Sequence, residues 1–140
     1  MKAITIYDPW ATLIKLKEKK YETRSWATKY RGQIWIHAAV TTRYADLGFQ
    51  APFFTALKPI HSDVNGHTGL EFYPACIIAV ATLTDCVEIT PEFIKTLSEK
   101  ELAFGDYTIG RYAWELDNVV PLEQPIPMKG KQRIWNWGGM

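Results

Sequence analysis

Three short segments carry residue types that could do chemistry together. The densest runs from Lys20 to Tyr30, Lys-Tyr-Glu-Thr-Arg-Ser-Trp-Ala-Thr-Lys-Tyr. On an extended strand, Lys20, Glu22, Arg24 and Trp26 share one face, and Tyr21, Thr23 and Ser25 share the other. A face of two cations, a carboxylate and an indole is a poor core. It suits a ligand: Glu22 can neutralise Arg24 or Lys20, the remaining donors can meet phosphate or base edges, and Trp26 offers a plane for stacking. A solvated strand face with ordinary ion pairs is the plain alternative. The second segment, Gly105–Tyr112, sets two glycines around Asp106, Tyr107 and Arg111, whose side chains could converge on one spot; a simple turn would use the same residues. The third is the basic turn Lys129-Gly130-Lys131-Gln132, ahead of Trp135 and Trp137. It could close over a site or bind phosphate, or stand free in solvent.

These segments need elements to bring them together. Ala3, Ile4, Ile6 and Tyr7 read as a first strand. Asp8-Pro9 reads as an N-cap with proline at the first helical position, and Trp10, Leu13 and Ile14 at helical spacing predict a helix to about Glu18. Strands are expected at Lys20–Ser25, Gln33–Ala38, Ala75–Leu83, Tyr112–Leu116 and around Val119–Val120, with Pro121, Pro125 and Pro127 punctuating the C-terminal part. Thr41–Leu47 could form a helix ended by Gly48, and Thr90-Pro91-Glu92 opens another. Between them, about 48–73, lies a long loop or insertion, of the kind that serves as a lid or a partner surface. The expected architecture is one α+β domain over 1–140, a small barrel of five to seven strands with short flanking helices.

Composition narrows the function. The chain has 140 residues, with 16 basic and 15 acidic side chains, but the signs are segregated. Seven cations lie between Lys15 and Arg31, and Lys129, Lys131 and Arg133 form a second group. Such asymmetry suits a basic face for a polyanion, although Lys15, Lys17 and Lys19 alone fit a solvated helix face equally well. Six tryptophans, seven tyrosines and six phenylalanines exceed what a small core needs, so some could line a concave site. Cys76 and Cys86 form no CxxC pair, and His37, His61 and His67 lack zinc-type spacing, so free thiols and no metal are expected. No signal-peptide pattern or bilayer-length apolar run is present, which favours the cytoplasm. Phosphate-cradling, dinucleotide-binding and nucleophile-elbow motifs are absent.

An ordered set of short strings runs through most of the chain. It comprises Pro9-Trp10-Ala11, Lys20-x-Glu22-x-Arg24-x-Trp26, Arg31-Gly32, Ile34-Trp35-Ile36-His37-Ala38, Phe104-Gly105-Asp106-Tyr107, Gly110-Arg111-Tyr112-Ala113-Trp114 and Pro125-Ile126-Pro127-x-Lys129-Gly130-x-Gln132-x-x-Trp135. This set resembles the ASCH domain family of the PUA-like superfamily. The resemblance implies a PUA-like barrel with a cleft for RNA, other single-stranded nucleic acid or a modified nucleoside, and no cofactor. Binding would use Trp10, Lys20, Glu22, Arg24, Trp26, Tyr107, Arg111 and Lys129. One branch that this chain resembles hydrolyses N4-acetylcytidine with a Lys-x-x-Thr pair and a carboxylate, and another is a ribonuclease. Lys20 and Thr23 match that spacing, with Asp106 as the first choice of carboxylate and Glu101 or Glu22 behind it. A regular strand sends Lys20 and Thr23 to opposite faces, so a shared catalytic site demands a bulge or turn between them. Binding is therefore the first expectation and hydrolysis the alternative.

Overall fold

Alternating isoleucines start the sheet. In the computed structural model, which describes residues 1–41 and 70–138, β1 (Lys2–Ile6) buries Ala3, Ile4 and Ile6. The helix α1 (Trp10–Lys15) comes next, with Ala11, Thr12, Leu13 and Ile14 all buried. The Asp8 carboxylate caps it from one position further out than expected. Its Oδ1 accepts from Thr12 N at 3.0 Å and Thr12 Oγ1 at 2.6 Å, and Pro9 is the N-cap rather than the first helical residue. The helix also ends three residues short of Glu18. Lys17 adopts a left-handed φ of 64°, and the amides of Glu18 and Lys19 both turn back to Leu13 O. That reversal carries the chain inward again at Lys19.

The remaining elements are β2 (Tyr21–Arg24), β3 (Gly32–Ala38), β4 (Cys76–Glu88), α2 (Pro91–Ile94), α3 (Glu99–Ala103), β5 (Tyr112–Pro127) and β6 (Ile134–Asn136). Both short helices carry side-chain caps: Thr90 Oγ1 accepts from Phe93 N, and Ser98 Oγ from Glu101 N. The strands form one sheet in the order β2-β5-β4-β3-β1-β6, with β1 and β3 parallel and every other pair antiparallel. This is the expected small α+β barrel, in the form of a curled half-barrel. Its curl shows in one contact: Arg24 Nη2 on the edge strand β2 donates to Thr5 O on β1 at 2.8 Å, although three strands separate them in the sheet.

Two expectations on the strands change. β5 is one strand to Pro127, not two strands stopped by prolines. β2 covers only Tyr112–Glu115, so the prolines lie beyond its reach on the open side of β5, where no ladder donor is required. β6 was not expected, and it adds an antiparallel partner to β1. The main core fills the concave side with Ile4, Ile36, Ile78, Leu83, Trp114 and their neighbours. A second cluster on the other side holds Trp35, Trp135 and Trp137. Four of the six tryptophans are thus core, and Trp10 and Trp26 are only partly buried. Cys76 and Cys86 are free and half-buried. The helix expected at Thr41–Leu47 and most of the 48–73 connection lie outside the described residues. Among the described residues, no helix is long and apolar enough to cross a membrane.

Candidate nucleic-acid interface

Where the sheet curls, the margin formed by β2 faces the end of β1 across a cleft. Its smaller part is a cavity of about 360 Å³ lined by Thr5, Ile6, Tyr7, Trp10, Lys19, Glu22, Thr23, Arg24, Gly105, Asp106 and Arg111. A larger part of about 1120 Å³ is lined by Trp26, His37 and the Met128–Arg133 strap among others. Thr5, Tyr7 and Arg24 line both, so the two parts join.

Arg24 stands at the junction and is held on two sides. Its Nε donates to Glu22 Oε2 at 2.9 Å, while Nη2 bonds Thr5 O. The strand-parity reading therefore brings Glu22 and Arg24 together as expected. It fails for Lys20, because β2 starts one residue later. Lys20 Nζ leaves the cleft for the opposite side of the sheet, 3.7 Å from both Glu115 and Asp117. Slight desolvation there is outweighed by the two carboxylates, which hold the ammonium above its ordinary pKa. Lys20 and Thr23 thus do not share the cavity.

The cleft lysine is Lys19. Its side chain is 1% exposed, donates to Tyr21 O, lies 3.6 Å from Glu101 Oε2 and sits over the Tyr107 ring. Burial lowers its pKa, opposed by the charges of Glu101 and Glu22. Glu101 on α3 organises this floor. Its Oε1 accepts from Lys20 N at 2.7 Å and its Oε2 from Tyr107 Oη at 2.8 Å. Tyr107, expected to contact ligand, lies beneath the cavity lining instead; burial, reinforced by Glu101, raises its phenol pKa and keeps it a donor. Gly105 is required here by close approach. A Cβ would stand 2.7 Å from Tyr107 Cε2 and 3.1 Å from Lys19 Nζ.

Asp106 and Arg111 meet at the rim. Arg111 Nε lies 3.5 Å from Asp106 Oδ2, and Arg111 Nη2 donates to Thr23 O at 3.1 Å. The Thr108 hydroxyl and amide bonds, with Arg111 nearby, hold the largely exposed Asp106 carboxyl below its ordinary pKa despite some desolvation. It is therefore a carboxylate at neutral pH.

At the wide end, Trp26 packs edge-on against Trp114 with centroids 4.7 Å apart, and the Arg133 guanidinium lies 4.7 Å over its ring. Lys129 lines this part. The strap that bears it is fastened by His37, a residue that motif spacing did not single out. His37 Nε2 lies 2.8 Å from Met128 O, which only accepts, so Nε2 carries the proton. Nδ1 then accepts from Thr5 Oγ1 at 3.2 Å, and Thr5 Oγ1 in turn accepts from Trp135 Nε1 at 3.0 Å. Burial lowers the His37 pKa, in keeping with this neutral tautomer, against the opposing pull of its backbone bonds. Among the described residues, no group of His, Cys, Asp and Glu could hold a metal ion.

The ASCH domain profile matches residues 4–127 of this geometry. The chain belongs to the ASCH domain family. Human activating signal cointegrator 1 is 25% identical over 145 residues, covering 94% of this chain and 21% of its own length. The mouse protein of the same name is 26% identical over 136 residues with the same coverage. The chain thus spans about a fifth of the length of these relatives. The crystal structure of ASCH from Zymomonas mobilis superposes with a TM-score of 0.50 at 19% identity, covering 91% of this chain and 73% of that one. A point variant of the same protein superposes equally well, with 75% of that chain covered. These structures share the fold of this ASCH domain.

Proposed function

We propose that this ASCH domain binds RNA, another nucleic acid or a modified nucleoside in the joined cleft, with Arg24 at its centre. The observation that carries this reading is the position of Arg24: a partly buried cation, tethered by Glu22 and Thr5, that lines both cavities. Lys19, Arg111 and Lys129 add positive charge along the cleft, and Trp10 and Trp26 are among its lining residues. Family membership supports the same reading. A phosphate-led complex weakens steeply as salt rises, by roughly two and a half to three decades between about 50 and 200 mM if six phosphates are neutralised. Anisotropy of a labelled RNA oligonucleotide over that range tests it. Absence of binding at the lowest salt, or indifference to salt, contradicts it.

A second reading, hydrolysis, is favoured by one observation. Thr23 shares its cavity with a buried lysine whose pKa is lowered, and that lysine is Lys19 rather than Lys20. With Lys19 neutral, Thr23 Oγ1 would add to an acyl carbon while its proton passes to Lys19 Nζ. The C–N bond would break as that proton reaches the leaving nitrogen, and water would release the acyl group. Incubation with N4-acetylcytidine tests this: turnover abolished by Thr23→Ala and retained by Lys20→Ala supports it, and no turnover contradicts it.

A further inference from the structure

The two parts of the cleft are both positive in net charge but differ in the mixture of charges they present. The smaller cavity sets Lys19, Arg24 and Arg111 against the carboxylates of Glu22 and Asp106. Such a mixture of donors and acceptors suits the edge of a base and repels a second or third phosphate. The larger cavity has Arg24, Lys129, Lys131 and Arg133, and none of its described lining residues is acidic. Lys129 and Lys131 form no ion pair among the described residues, so their charge is available to an anion.

Size separates them as well. Small-ligand pockets run from about 300 to 1,000 Å³. The smaller cavity, about 360 Å³, stands at the low end of that range, and the larger, about 1120 Å³, lies beyond its top. The basic wall of the larger part is also built rather than free. Met128 N donates to Ala75 O at 2.9 Å, Met128 O accepts from His37, and Gly130 lies so close that a Cβ would be 2.6 Å from His37 Cε1. The strap lysines are thereby kept beside the cavity.

From this division we infer that the occupant is a single polynucleotide strand, not a free nucleoside. One unstacked base sits in the smaller cavity, and flanking phosphates lie in the larger cavity against the Met128–Arg133 strap. This inference rests on the binding reading above and adds a stated class of ligand to it. Arg24, at the shared wall, would sit where base and backbone part.

The test compares cytidine, guanosine, adenosine and uridine with single-stranded hexamers of RNA and of DNA and with a duplex of the same sequence. Each is titrated against the whole chain and against Lys129→Ala/Lys131→Ala. The expected result is that a hexamer binds at least about a hundredfold more tightly than any nucleoside, and more tightly than the duplex. The double variant should lose most of that advantage, with the salt slope falling by about 0.7 per lysine. Lys129→Arg/Lys131→Arg should restore the hexamer affinity. Binding by either hexamer in this pattern supports the inference, and the RNA-to-DNA ratio identifies the preferred sugar. Equal affinity for nucleoside and hexamer, preference for the duplex, or equal weakening of both ligands by the double variant overturns the strand while leaving the binding reading intact. If neither nucleosides nor hexamers bind, both readings fall.

Discussion

At the narrow end of the cleft a charged network sets the geometry: Glu101 on α3 gathers Lys19, the amide of Lys20 and the phenol of Tyr107. At the wide end the same task falls to an uncharged chain, from Trp135 through Thr5 and His37 to Met128 O. A buried ion network is costly to break, because whatever partner is left keeps its charge in a poor solvent. A chain through a neutral imidazole is cheaper to break and depends on which nitrogen holds the proton. The narrow end should therefore be the more fragile to substitution, and the wide end the more responsive to pH.

The largest effect should come from removing the carboxylate at the narrow end. Glu101→Ala leaves the Lys19 ammonium without its main counter-charge and should cost about 3–5 kcal/mol, read from urea unfolding. Glu101→Gln keeps an acceptor for the Tyr107 hydroxyl and should cost less. If the two variants are equally mild, the ion network does not hold this end.

At the wide end, Gly130→Ala pushes a methyl group to within 2.7 Å of Thr5 Oγ1 as well as into His37. The strap must shift, at a cost of about 1–3 kcal/mol, and oligonucleotide affinity should fall with it. A wild-type affinity in this variant would show that the position of the strap is immaterial.

The pH response comes from His37. Its folded pKa is lowered from 6.5, so the unfolded chain binds the proton first as pH falls. The stability His37 contributes is complete above about 6.5 and declines as pH drops through that value toward the folded pKa. His37→Gln, which keeps one donor and one acceptor, should flatten this part of the Tm profile. An unchanged slope between the two proteins would place the titrating group elsewhere. The smallest effect belongs to Lys20→Ala. It removes exposed ion pairs with Glu115 and Asp117 and should change stability by no more than about 1 kcal/mol.

Strand parity made part of the narrow end legible in advance. Glu22 and Arg24 do share a face, and their ion pair follows from alternation alone. Parity could not tell which lysine precedes them into the cleft, because that depends on where β2 begins. The answer lies in the left-handed turn at Lys17, a conformation that a lysine does not advertise. Glu101 was visible only as a secondary candidate, although Ser98-x-x-Glu101 has the spacing of a helix cap and could have located α3. His37 stood in the Ile34–Ala38 string, but nothing there pointed to its role as a fastener: its partners are Thr5, 32 residues away, and a backbone carbonyl 91 residues away, and a carbonyl has no sequence signature. The prolines of β5 misled for a related reason. Their tolerance depends on how short β2 is, which is a fact about another strand.

The central claim is that the ligand face of this domain is the one carrying Arg24 and Lys19, not the one carrying Lys20. The affinity of a labelled single-stranded oligonucleotide for Arg24→Gln and for Lys20→Gln, at one fixed low salt and with both variants folded, tests it most directly. Loss of about ten- to a hundredfold for Arg24→Gln, with Lys20→Gln close to wild type, is the expected result. Equal losses, or a larger loss for Lys20→Gln, would place the ligand on the other face of the sheet.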